Sequence, residues 1–236
     1  NHLFINQGDG TFDDQALEWG VSDPFQRFGI GPTCGDINND GLPDIFLVTH
    51  DAWWSGNLLY MNQGGYFSEV AQDAGVDEYL DGHGNAMTDV DNDGFLDFVI
   101  SGIGTQPKIL LNRQDETFGD VCYGGGLSQQ NGLTWAVVPG DIDGDGFPEI
   151  YITNGLGRRP GENNLFKHTG TFGTHYLTID VRGVTHNPSQ IGAKIEVVTP
   201  ETVITRWVGS WSSFDSQGPL PVTIGLGDNT SAESIT

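Results

Sequence analysis

Positive charge is scarce in this sequence: nine Lys and Arg stand against 32 Asp and Glu, a formal net charge of -23 over 236 residues. Nucleic acids and anionic membrane surfaces both attract clustered Lys and Arg, so no nucleic-acid partner is expected. Long apolar runs are missing too. Stretches such as Ile45-Phe46-Leu47-Val48 fall far short of the ~18 residues of a spanning helix, so no membrane insertion is expected. Cysteine is limited to Cys34 and Cys122, which do not form a metal-binding spacing. A disulfide and two buried thiols both stay open. Helical periodicity is absent as well, whereas short apolar runs bounded by Gly, Asp and Asn recur throughout. An all-β chain with many turns follows.

Catalytic signatures are equally sparse. There is no G-x-S-x-G, and none of the six histidines pairs as His-x-x-x-His. His50-Asp51 reads as a polar pair at the end of a loop. No catalytic residue is assigned, and a non-enzyme is expected. Trp53, Trp54, Trp207 and Trp211 could stack on sugars or a protein partner, or pack between sheets. Asn229-Thr-Ser231 is a glycosylation sequon, while Pro188 blocks the one at Asn187.

What the chain has in abundance is acid arranged in a repeat. Asp36-Ile-Asn38-Asn-Asp40-Gly41-Leu42-Pro-Asp44 precedes one apolar run. Asp89-Val-Asp91-Asn-Asp93-Gly94-Phe95-Leu-Asp97 and Asp141-Ile-Asp143-Gly-Asp145-Gly146-Phe147-Pro-Glu149 precede two more, with starts 53 and 52 residues apart. Each loop offers side-chain oxygens at positions one, three, five and nine and a carbonyl at position seven. Ca2+ takes six to eight such hard ligands, and Gly at position six permits the tight turn. The expected ligands are Asp36, Asn38, Asp40, the Leu42 carbonyl and Asp44; Asp89, Asp91, Asp93, the Phe95 carbonyl and Asp97; and Asp141, Asp143, Asp145, the Phe147 carbonyl and Glu149. Three Ca2+ ions are expected. An EF-hand is excluded, because its position-twelve Glu is replaced by Leu47, Ile100 and Ile152 inside apolar strands. Eleven of the 32 acids lie in the loops, so bound cations, rather than disorder, account for the acidity.

A second element trails each loop: Asn57-Leu-Leu-Tyr-Met-Asn62 with Phe67, Lys108-Ile-Leu-Leu-Asn112 with Phe118, and Asn164-Leu-Phe-Lys-His168 with Phe172. The same element opens the chain at Asn1–Asn6, followed by a Gly8-Asp9-Gly10 hairpin turn and Phe12. Alternation in these segments suggests strands buried on one face. Four short strands per unit at this period suggest β-propeller blades, of which closed forms have about four to eight. With three loops and a leading half-unit, this chain is expected to form a partial propeller, as part of a longer chain or completed by neighbours.

The loops, together with the trailing Asn-x-Leu-x-x-Asn element and Phe, resemble the FG-GAP/VCBS repeats of integrin-α-like propellers over residues 1–172. That resemblance implies calcium held within each blade for stability. Beyond it, His175-Tyr-Leu, Asn187, Ile191-Gly-Ala-Lys, Gly209–Gln217 and Ile224-Gly-Leu-Gly227 resemble the ASPIC/UnbV domain. Residues 173–236 are therefore expected to form a small β-sandwich or barrel-like domain. The resemblance carries no defined activity for it. The expected function is an extracellular or cell-surface, secreted module, structural or adhesive, that takes a protein or glycan ligand or copies of itself. A self-assembling fibre subunit and a polysaccharide-active propeller enzyme are the alternatives.

Overall fold

The computed structural model describes residues 1–50, 56–79, 81–104, 106–121, 127, 133–156, 159–169, 174–185, 187–209, 212–214 and 216–236. Cys122, Trp53, Trp54, Trp211, Asp51, Phe172 and His186 lie outside that set. Cys34 is a free thiol, and burial pushes it up from its usual pKa.

The chain is all-β and propeller-like, with no closed barrel among the described residues. β1 (Phe4–Asn6) and β2 (Phe12–Asp14) form the expected hairpin, turned by Gly8 and Gly10 at positive φ. Two four-stranded antiparallel meanders follow. The first comprises β3 (Gly29–Gly35), β4 (Asp44–Thr49), β5 (Leu58–Asn62) and β6 (Phe67–Glu69). A one-turn helix, α1 (Ala71–Ala74), ends at Gly75, whose φ of 73° provides the left-handed cap. The second comprises β7 (Gly82–Thr88), β8 (Asp97–Gly102), β9 (Lys108–Asn112) and β10 (Phe118–Asp120). The third sheet departs from four strands in series. β11 (Thr134–Gly140) pairs with β12 (Glu149–Leu156), which pairs in turn with β13 (Arg159–Pro160) and with β14 (Asn164–Phe166).

The sheets stack face to face. Phe46 and Phe98, from the first and second sheets, lie with ring centroids 4.1 Å apart in a core that includes Val48, Leu59, Met87, Ile100 and Phe118. Val99, Ile109, Val137 and Ile152 fill the next interface, between the second and third sheets. Leu47, Leu58, Tyr60 and Phe67 pack with Ala16 and Val21 of the leading segment. Every residue of β5 is buried, which corrects the expected alternation at Leu58–Asn62. A sheet covered on both faces needs apolar side chains on both, so its strands read as continuous runs.

The C-terminal part forms two small sheets around Ile195, Val197, Ile204, Ile224 and Leu226. β15 (His175–Ile179) pairs with β20 (Val222–Gly227), while β16 (Lys194–Val198) pairs with β17 (Val203–Trp207). β18 (Ser212–Ser213) and β19 (Ser216–Gln217) form a small ribbon, followed by β20 (Val222–Gly227) and β21 (Ser234–Ile235), the latter on the edge of β16. The expected strand at Ile191–Val198 is shorter and begins at Lys194.

Candidate metal centre

Each Asp loop joins the first strand of a sheet to the second, so strand pairing closes the loop on itself. Gly35 is opposite Asp44, Thr88 opposite Asp97 and Gly140 opposite Glu149. The first and ninth loop positions are thereby brought together.

The position-one carboxylates organise the turn. Asp36 accepts the N–H groups of Asp40 (3.1 Å) and Gly41 (2.8 Å). Asp89 accepts those of Asp93 (3.1 Å) and Gly94 (2.9 Å), and Asp141 those of Asp145 (3.1 Å) and Gly146 (3.0 Å). Gly41, Gly94 and Gly146 take φ of 88°, 93° and 87°, the left-handed region that the position-six Gly was expected to supply. The position-nine carboxylates reach back across the loop. Asp44 accepts the N–H of Ile37 at 3.1 Å, Asp97 that of Val90 at 2.7 Å and Glu149 that of Ile142 at 2.8 Å.

The trailing Asn acquires a physical role here. The Asn62 N–H donates to Asp44 Oδ1, and the Asn112 N–H to Asp97 Oδ1, both at 2.8 Å. Their Nδ2 groups donate to the position-eight carbonyls of Pro43 (3.0 Å) and Leu96 (3.1 Å). One side chain thus pins the loop to the third strand of its sheet.

The acids do not all converge. Asp89, Asp91 and Asp97 each offer an oxygen within 4.8 Å of the others, as do Asp141, Asp143 and Glu149. The position-five residues instead use one oxygen to close the turn. Asp40, Asp93 and Asp145 accept the N–H of Leu42, Phe95 and Phe147 at 2.8, 2.8 and 3.0 Å. In the first loop the Asn38 amide donates to Asp40 Oδ2 at 3.2 Å and to Glu116 Oε1 at 3.4 Å. Glu116, from the β9–β10 turn of the next sheet, is an acid the repeat pattern did not point to. Lys167 lies against Asp143 and 3.7 Å from Asp145, so the third loop has a local cation.

The site is electrostatically costly as it stands. Burial pushes Asp44 and Asp89 up to about 7 and Asp91 up to about 6; it holds Asp97 well above the usual carboxylate range and raises Asp36 as well. Glu149 is only 3% exposed, yet its Oε1 has no hydrogen-bond partner, and neither has the buried Oδ1 of Asp91. A buried carboxylate oxygen left unpaired costs several kcal/mol, on the order of the desolvation penalty of an ion. A hard cation bound by oxygen ligands removes both problems.

Neighbouring loops are laced together. Position four, unremarked in the repeat, is left-handed in all three, at Asn39 (φ 58°), Asn92 (φ 58°) and Gly144 (φ 79°). Asn39 Nδ2 donates to the Gly94 carbonyl of the second loop, and Asn92 Nδ2 to the Gly146 carbonyl of the third, both at 3.0 Å. The C-terminal sheets dock on this laced face. Arg206, 6% exposed, donates from Nη2 to the same Gly94 carbonyl at 3.0 Å and from Nη1 to Asn39 Oδ1 at 3.4 Å. The Gly225 N–H reaches Asp89 Oδ2 at 3.1 Å, and the Tyr176 hydroxyl reaches the Gly144 carbonyl at 3.1 Å. Arg206 and the position-one acids Asp36, Asp89 and Asp141 line one cavity of about 80 Å³. Trp207 lines it too, with the Lys194 ammonium 5.8 Å from its ring.

Comparison with known proteins identifies the repeats and the segment behind them. The FG-GAP-like repeat model matches residues 1–47, 36–100 and 89–152, and the ASPIC and UnbV model matches residues 183–236. The chain is similar to cartilage acidic protein 1 of Homo sapiens (28% identical over 66% of this chain and 24% of the relative) and of Xenopus tropicalis (30% over 59% and 22%). It therefore spans about a quarter of the length of these relatives.

Proposed function

Since this chain belongs to the FG-GAP-like repeat family, with an ASPIC and UnbV match behind the repeats, we propose that it is an extracellular binding module whose blades are held by Ca2+. Residues 1–172 form the repeat region and residues 173–236 the docked C-terminal unit in this reading. One observation carries it: three acidic loops of the same design fold back on themselves, with buried oxygens of Asp91 and Glu149 lacking any partner. The first loop holds its ion with Asp36, Asn38, Asp40, Asp44 and the Leu42 carbonyl. The second uses Asp89, Asp91, Asp93, Asp97 and the Phe95 carbonyl, and the third Asp141, Asp143, Asp145, Glu149 and the Phe147 carbonyl. Calcium supplies charge compensation and cross-linking and takes no part in a reaction. The name of the relatives, an acidic protein of cartilage, supports placement outside the cell and a protein or glycan partner.

Calorimetric titration of the ion-free chain with Ca2+ tests the proposal. Three ions should bind, and Glu149→Gln should remove one. A chain that takes up no calcium at millimolar concentration overturns it.

Association between copies is a second reading that one observation favours. Phe4 and Phe12 on the first hairpin, and Leu165 on β14, are exposed at opposite ends of the row of sheets. Such faces suit further blades from a second chain. Sedimentation equilibrium across a concentration series separates a monomeric module from a self-associating one.

A further inference from the structure

A second cluster of metal-ligating side chains lies at the other end of the sheets. His50 follows β4, while Asp81 and His83 stand at the start of β7. His83 is six residues from Asp89, so strand geometry puts the cluster roughly 20 Å from the second acidic loop. His50 and Asp81 face each other as an isolated antiparallel bridge that ties the first sheet to the second. The three residues each offer a ligand atom within 4.8 Å of the other two.

The surroundings hold these groups in place. His50 Nδ1 lies against the Asp81 carboxylate. His83 is 4% exposed, and its Nδ1 is 3.2 Å from the Asp81 carbonyl oxygen. As a donor in that bond, Nδ1 carries the proton, which leaves the Nε2 lone pair for a ligand bond; metal-binding imidazoles are oriented in this way. The Asp81 carbonyl is itself fixed, because it accepts the Ile103 N–H at 2.8 Å. Aromatic rings wall the cluster. Trp135 lies 4.4 Å from the His83 ring with its buried Nε1 unpartnered, Phe214 lies 6.0 Å from His83, and Phe28 lies 5.7 Å from His50. His50 and Asp81 remain partly open to solvent, which provides an entry path.

We propose that His50, Asp81 and His83 form a binding site for a divalent transition metal, with Zn2+ as the fitting ion. Two imidazoles and one carboxylate suit zinc, whereas calcium and magnesium want oxygen alone. Three protein ligands leave one position of a tetrahedral ion for water or an outside donor.

Co2+ titration of the calcium-saturated chain provides the test, with bound cobalt counted by equilibrium dialysis. Excess calcium keeps the acidic loops from competing, and none of their carboxylates belongs to this cluster. Calcium uptake, followed in parallel, keeps failure of this site distinct from failure of the loops. The expected result is one Co2+ per chain, displaced by Zn2+, with affinity falling by about 100-fold or more in both His50→Ala and His83→Ala. His50 is partly exposed, so its variant keeps the test decisive if His83→Ala fails to fold. Cobalt uptake that is absent, or equal in the native chain and His50→Ala, overturns the proposal.

Discussion

Removing calcium should invert the way this protein responds to pH. Burial sets the Asp44 and Asp89 carboxyls at about 7, whereas in an unfolded chain each would titrate near the usual value of about 3.9. The ion-free fold thus binds protons more tightly than its unfolded chain does. That contribution to stability is complete below about pH 4 and is lost as pH rises through about 7. Between pH 7.5 and 5 the gain is on the order of 2–3 kcal/mol for each such carboxyl. Asp44 and Asp89 belong to different loops, so together they supply about 5 kcal/mol, or roughly 10–20 °C in melting temperature for a chain of this size. Calcium reverses the slope, because the ion needs ionised carboxylates and its stabilisation fades as they protonate. Calorimetric melts from pH 5 to 8, on exhaustively dialysed and on calcium-saturated protein, would show both trends. High salt in both series screens the diffuse repulsion of a chain with net charge -23, leaving the buried contribution. Asp44→Asn should make the ion-free slope shallower without abolishing it, because Asp89, Asp91 and Asp97 are raised as well. A melting temperature of the ion-free protein that stays flat or rises from pH 5 to 7.5 would refute the reasoning.

Two further outcomes are expected of the docked face. Arg206→Met should cost about 3 kcal/mol in urea unfolding, since it leaves Asp89 and Asp36 without their buried cation; Asp89→Asn should restore part of the loss, and Arg206→Lys should not, because a single ammonium nitrogen cannot span Gly94 and Asn39 as the two guanidinium nitrogens do. Gly225→Ala would place a Cβ 2.3 Å from the Asn92 carbonyl carbon, so it should destabilise by about 1–3 kcal/mol and expose the C-terminal unit to limited proteolysis, whereas Gly140→Ala, in open space, should do neither.

The repeat itself was legible in the sequence because the turn chemistry is local. Gly41, Gly94 and Gly146 must take positive φ, and the acids around them are spaced by the loop, so both show as a pattern at fixed period. The all-β character and the short antiparallel strands followed from the same period, but each loop lies between the first and second strands of its sheet rather than ahead of them. What the pattern hid was non-local. Arg206 meets Asn39 across 167 residues, and nothing in the spacing of either announces the other. Asn39 and Asn92 stand at a loop position to which the pattern assigned no role, although their side chains bridge successive loops. His50 read as a partner of Asp51; the structure sets it against Asp81, which comes from the next sheet. Nor did the spacing show that the position-five residues Asp40, Asp93 and Asp145 each commit one oxygen to their own turn.

The asparagine bridges run in one direction only. Each loop holds a carbonyl of its successor, and the series stops at Gly144, which has no side chain to extend and whose carbonyl is capped by Tyr176 instead. Donation runs one way, but the coupling each bridge provides is reciprocal, so ordering either of two neighbouring loops favours order in the other. In the calcium-bound form proposed above, the three loops would therefore gain and lose their ions in a coupled rather than an independent manner.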